Sequence, residues 1–114
     1  MKLPNAESAV VVKEKITEYL LNPLHPDGAS KARWFSALGF TVEDWEVLAA
    51  ALRKVAHDWP IANTIESAHG LKYIIEGAFE NPSGKPALIR TVWIVDLGER
   101  APRLVTAYPR DERA

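Results

Sequence analysis

Hydrophobic spacing along the chain changes period near Pro60. Before it, apolar residues recur every three to four positions; after it, they alternate over short runs. In KEKITEYLL, Ile16, Tyr19 and Leu20 share one helical face. Asn22-Pro23 closes that segment, because the residue before a proline is pushed out of the α region. The spacing predicts a first helix over Lys13 to Leu21. Ser30 is placed to cap a second, short helix in which Trp34, Phe35 and Leu38 share a face, and Gly39 suits the left-handed position past its end. Thr41 with Asp44 three residues on reads as a capping box, with Phe40 set to staple against Trp45. A third helix then carries Trp45, Leu48, Ala49, Leu52 and Val55 or Ala56 along one side until Pro60 ends it.

From Ile61 the segments Ile61 to Ala68, Leu71 to Glu80, Ala87 to Asp96 and Arg103 to Tyr108 are short, rich in β-branched and aromatic residues, and separated by Gly- and Pro-containing turns. Four sequential strands with short loops predict an antiparallel meander. Ala87 to Asp96 is apolar on both alternations apart from Arg90, Thr91 and Asp96, which suits a central strand. The expected fold class is α+β, two to three N-terminal helices packed on one face of a four-stranded antiparallel meander sheet. The other face is then free to bind. One domain over 1–114 is expected, with an extended lead-in over 1–12, a helical part over 13–59, the sheet over 61–109 and a frayed tail over 110–114.

Composition narrows the function classes more than it names one. The 114 residues are 47% hydrophobic and 25% charged, enough for a single core. A formal net charge of −1 leaves no global basic field for nucleic acid, so any such contact must be local. With no cysteine there is no disulfide, thiolate ligand or thiol nucleophile. The apolar run Ala9 to Val12 is too short for a signal peptide, and no stretch is long enough to cross a bilayer. A cytoplasmic protein without membrane association is expected.

The candidate chemistry lies where packing does not explain the residue. His25 sits in a Pro-flanked loop, and histidine is a ready general acid or base near neutral pH; the plainer account is a loop histidine held by a local hydrogen bond. Lys31 and Arg33 open the second helix near its positive dipole end, where acids are favoured, so they suit an anion such as phosphate, or else a solvated helix start. Lys72 and Arg90 fall on strands, where a cation either pairs internally, Glu76 being the candidate partner, or points into a cleft. Thr106 and Tyr108 alternate with Leu104 on one face of the last strand, placing two hydroxyls at the sheet edge, unless both are core residues. His57 complements the third helix's C-terminus and His69 is a turn residue. The scattered histidines show no metal-ligand spacing, and no P-loop, GxSxG or dinucleotide fingerprint is present, so neither metal nor cofactor is expected.

The stretches LLNPLHPDGASKARWFSALGF, GLKYIIEG, RTVWIVD and LVTAYP resemble an uncharacterised bacterial domain family with the pattern LxNP, HP, G, KA, an aromatic pair, LG and a closing TAYP. The likeness runs from about Leu3 to Pro109. Its order of helices then sheet is similar to the barnase, EndoU, colicin and RelE group of metal-independent ribonucleases, many of them toxin domains. The resemblance implies His25 as acid or base, Lys31 and Arg90 holding phosphate with Arg33 and Lys72 nearby, and Thr106 and Tyr108 orienting substrate or donating a proton. It also implies RNA as a substrate and a cognate small antitoxin-like protein, from a neighbouring gene, as a partner. The competing expectation is a non-catalytic interaction module, immunity-like or adaptor, that binds a protein through the open sheet face. The four tryptophans suit that alternative, since aromatic residues anchor interfaces.

Overall fold

The turn at Trp59-Pro60 separates helix from sheet: Trp59 is already extended, and from there the chain runs up and down four times. The structure, a computed structural model, describes residues 1–110; most of the expected tail, 111–114, lies outside the described residues. The strands are β1 (Ile61–Ser67), β2 (Gly70–Ala78), β3 (Leu88–Asp96) and β4 (Arg103–Pro109). They pair antiparallel in the order β1-β2-β3-β4, so β3 is interior, as its two-sided apolar pattern requires. Three helices cover one face. They are α1 (Lys13–Lys15, continued by a π turn over Ile16–Leu20), α2 (Ala29–Ala37) and α3 (Trp45–Asp58).

One alternation of the sheet faces these helices. Ile75 of β2, Ile89, Thr91 and Trp93 of β3, and Ala107 of β4 are fully buried with Ile16, Leu20, Phe35, Leu48 and Leu52. Each large side chain so buried contributes roughly 1.5–3 kcal/mol. Thr91 is the buried polar residue, and its hydroxyl is satisfied twice, donating to the Ile75 carbonyl and accepting from the Trp93 indole, both at 2.9 Å. Gly77 lies beneath the Trp59 ring, where any Cβ would collide with the indole.

The N-terminal lead-in is part of this core. Leu3, Ala6, Ala9 and Val11 are buried around a 3₁₀ turn at Ala6–Ser8. Ile61 N–H donates to the Met1 carbonyl (2.7 Å), Lys2 Nζ caps the α3 C-terminus at the Asp58 carbonyl (2.9 Å), and Val10 bridges Arg103 in parallel. The segment therefore straps the end of α3 to the start of β4.

Three local expectations change. The first helix is not uniform: after Lys15 it widens into a π turn closed by Leu21 N–H on the Ile16 carbonyl at 2.8 Å. Ser30 does not cap α2: the cap position is Gly28, two residues earlier, with no side-chain cap bond, and the helix begins at Ala29. The expected α3 capping box is not the helix start: Thr41 Oγ1 accepts from Asp44 N–H (3.1 Å), but α3 begins only at Trp45, with Asp44 at the N-cap position and no side-chain cap bond. Gly39 does take the left-handed conformation after α2, with φ +95°.

Candidate functional site

The register of β4 decides what the sheet edge presents. Thr106 pairs with Val92 and Tyr108 with Arg90, but Leu104 pairs with Trp93, so Val105 is an extra residue in a bulge. The bulge turns Leu104 to the helix side, where it is buried, while Thr106 and Tyr108 stay on the alternation of Arg90. The expectation that Leu104 shares their face is corrected by that one inserted residue.

On the uncovered face Arg90, Glu76 and Tyr108 are consecutive cross-strand neighbours. Arg90 Nε donates to Glu76 Oε2, Arg110 Nε lies 3.5 Å from Glu76 Oε1, and the Arg90 guanidinium sits 5.8 Å from the Tyr108 ring centroid. Tyr108 first and Glu76 second hold the Arg90 guanidinium above arginine's ordinary pKa by favouring its charged form. The Arg90 side chain is 38% exposed, so this pair adds at most about 1 kcal/mol to stability. Its effect is to orient the guanidinium over the tyrosine.

The second half of the site gathers around Tyr19, at the end of the π turn. Its hydroxyl shares a 2.9 Å hydrogen bond with Thr106 Oγ1, tying helix to sheet edge. The His25 ring meets the Tyr19 ring edge-on at 4.9 Å, and Lys31 Nζ and Lys15 Nζ lie 5.3 and 5.5 Å from its centroid. His25 Nδ1 accepts the Asp27 and Gly28 N–H groups at 3.0 and 3.1 Å, which puts the proton of the neutral ring on Nε2. His25 is thus a loop histidine held by local hydrogen bonds through Nδ1, the plainer of the two accounts, and Nε2 takes no part in those bonds. Lys31 Nζ donates to the Asp27 carbonyl at 3.1 Å. A shallow depression of about 440 Å³, lined by Ser30, Lys31, Tyr108 and Pro109, joins the two halves.

His25, Lys31 and Thr106 thus meet at Tyr19, Arg90 meets Tyr108, and the depression that Lys31 and Tyr108 both line brings the two groups together along the β4 edge. Arg33 and Lys72 are not part of either group. Arg33 is two residues past Lys31, on nearly the opposite face of α2, and is exposed. Lys72 shares the Arg90 face but stands opposite Ile94, four residues along β2 from Glu76, about 13 Å away. Sequence reasoning missed Tyr19 and Lys15. The visible signal was that Tyr19 lies four residues after Lys15 and carries a hydroxyl that a core-facing position must satisfy. A larger cleft of about 600 Å³ between α3 and the Glu80–Pro82 loop is mainly apolar and holds none of these residues. Among the described residues no three His, Asp or Glu side chains come together as a metal site, and no helix is long and apolar enough to cross a membrane.

Known proteins share this architecture. The fold is similar to a chain of a contact-dependent growth inhibition toxin–immunity protein complex from Klebsiella pneumoniae 342, with TM-score 0.72 and 20% identity, covering 89% of this chain and 99% of that one. No curated protein sequence matches the chain. A family profile spans residues 2–111, from the buried lead-in to the end of β4, and by that match the chain belongs to the family described as Domain of unknown function (DUF6883).

Proposed function

We propose that the chain is a metal-independent, ribonuclease-like toxin domain of a toxin–antitoxin-type pair. The observation that carries the reading is the contact chain His25–Tyr19–Lys31 and Tyr19–Thr106, which the shared depression continues to Tyr108 and Arg90. The likeness to a chain of a toxin–immunity complex supports it at the level of fold, as does the resemblance to metal-independent ribonucleases.

The chemistry needs few groups. When a ribose 2′-oxygen attacks the adjacent phosphorus, a base removes the 2′-hydroxyl proton, the P–O5′ bond breaks, and an acid protonates the departing 5′-oxygen. Cations offset charge on the phosphate oxygens as it grows. In this reading His25 Nε2 exchanges one of the two protons, with Tyr108 the candidate for the other. Lys31 and Arg90 hold the phosphate, and Thr106, fixed by Tyr19, orients the nucleotide. Arg33 and Lys72 serve at most to attract the strand. A small cognate protein that covers the β4 edge would hold the activity in check.

Expression of the chain alone should slow growth and degrade cellular RNA, and the His25→Ala, Arg90→Ala double variant should do neither. Harmless wild-type expression, with purified protein leaving RNA intact at low salt, would refute the reading.

A second reading rests on the uncovered sheet face, where Ile65 is 44% exposed and Ile74 and Val92 are half-buried with no element over them. Here the chain is a non-catalytic, immunity-like or adaptor module. It then forms a stable complex with the neighbouring gene's product, Ile65→Asp and Val92→Asp break that complex, and no RNA is cleaved.

A further inference from the structure

Lys15 was not among the residues expected at the site, yet its ammonium converges on the same ring as that of Lys31. The two Nζ atoms lie 5.5 and 5.3 Å from the Tyr19 centroid, and the imidazole of His25 meets that ring as well. Neither lysine has a carboxylate partner among the described residues, although Glu14, Glu18 and Asp27 are close in sequence; Lys31 Nζ bonds a backbone carbonyl instead. Two like charges gathered on one ring, with no anion between them, repel each other. A bound anion would turn that repulsion into attraction.

The ring itself is held fast. Tyr19 is anchored through its hydroxyl to Thr106, and Gly28 packs against its backbone so closely that a Cβ there would stand 2.6 Å from the Tyr19 carbonyl oxygen. Tyr19 also belongs to the π turn, an irregularity frequent at functional sites. Both lysines are half-buried, which limits the rotamer freedom they lose on binding.

We propose that Lys15 and Lys31, held about the Tyr19 ring, form a phosphate subsite flanking the reacting phosphate, so that the protein takes an extended single strand of RNA along the β4 edge. This rests on the ribonuclease reading and adds a substrate class to it. A single strand fits because its phosphates can follow a groove while a base lies against the half-buried Tyr108–Arg90 pair, an arrangement of aromatic and cation common to single-strand binders. Lys31 then touches two neighbouring phosphates and Lys15 only the flanking one.

The test compares a dinucleotide, which has one phosphate, with a tetranucleotide. Wild type should gain about tenfold in kcat/KM from the longer substrate, and Lys15→Gln should lose most of that gain through KM with kcat at saturation retained. Lys85→Gln removes the same charge from the β2–β3 loop and should keep the gain. A Lys15→Gln enzyme with the full gain, or a wild type with none, overturns the subsite. If wild type cleaves neither substrate, the ribonuclease reading fails by itself, and binding of a 2′-O-methyl oligonucleotide, followed by fluorescence anisotropy, then decides the subsite. Weaker binding by Lys15→Gln, with a log K against log salt slope shallower by about 0.7, sustains it. An unchanged slope, or no binding by wild type, overturns it.

Discussion

Tyr19 can receive the His25 loop because one Cβ is missing. Gly28 has an ordinary φ of −107°, so glycine is required there for space and not for backbone conformation. Gly28→Ala would place a methyl 2.6 Å from the Tyr19 carbonyl and 3.0 Å from its ring, forcing the loop outward. The expected cost is about 1–3 kcal/mol, the usual range for overpacking, read from denaturant midpoints. His25 moves with the loop, so on the ribonuclease reading RNA cleavage should fall further than the stability loss explains. Tyr19→Phe is milder. It keeps the ring and the nearby cations but removes the bond to Thr106, which should cost about 1 kcal/mol. At this scale the sequence marked His25 and Lys31 because core packing does not account for them, a loop hydrogen bond and a solvated helix start being the plainer alternatives. Tyr19 went unnoticed because its spacing with Ile16 and Leu20 explains it as a core residue, which it partly is.

Helices and strands were legible wherever periodicity was clean: β3 lies within a residue of where the pattern put it, and α3 carries the expected apolar face, although it begins at Trp45 and not directly after Thr41. What could not be read was the single-residue irregularity. Nothing in RLVTAY distinguishes Val105 as the bulged position, and nothing in ITEYL announces a π turn, yet the first sets the face of Leu104 and the second shapes the helix end that carries Tyr19. The lead-in, expected as an extended segment, supplies core residues, and Leu3 is 3% exposed. Leu3→Ala should cost about 2–5 kcal/mol, the penalty of an emptied core position, and should lower the melting temperature. The β3–β4 hairpin carries an ion pair whose pH dependence has a definite sign. Arg103 bonds Asp96 through two N–H groups (2.6 and 3.1 Å) and holds that carboxyl below the ordinary aspartate pKa. A carboxyl depressed in the folded state binds fewer protons there than in the unfolded chain. Its contribution is therefore present above the unfolded value, about 3.9, and is lost as pH falls through the folded one. Asp96→Asn should accordingly flatten part of the stability loss seen in thermal melts between neutral and strongly acid pH.

On the ribonuclease reading, charge and architecture across the whole molecule together constrain how RNA would be held. A net charge of −1 gives no general attraction, and acids are interspersed with cations along the chain. One sheet face is buried under the helices, and on the other Glu76 occupies one edge of Arg90 and attracts Arg110. The cations placed to meet a strand at the β4 edge are Lys15, Lys31 and Arg90, with Arg33 and Lys72 off the line of contacts. Binding to a single strand should therefore be salt-sensitive to a limited degree. At about −0.7 in log K against log salt for each phosphate neutralised, three contacts give a slope near −2. Titration of a non-cleavable single-stranded oligonucleotide between about 50 and 200 mM salt should return that value. A slope near zero would remove the cations from the binding step altogether. One several times steeper would mean that Arg33, Lys72 or other exposed cations join in, and that the strand crosses the open sheet face instead of following its edge.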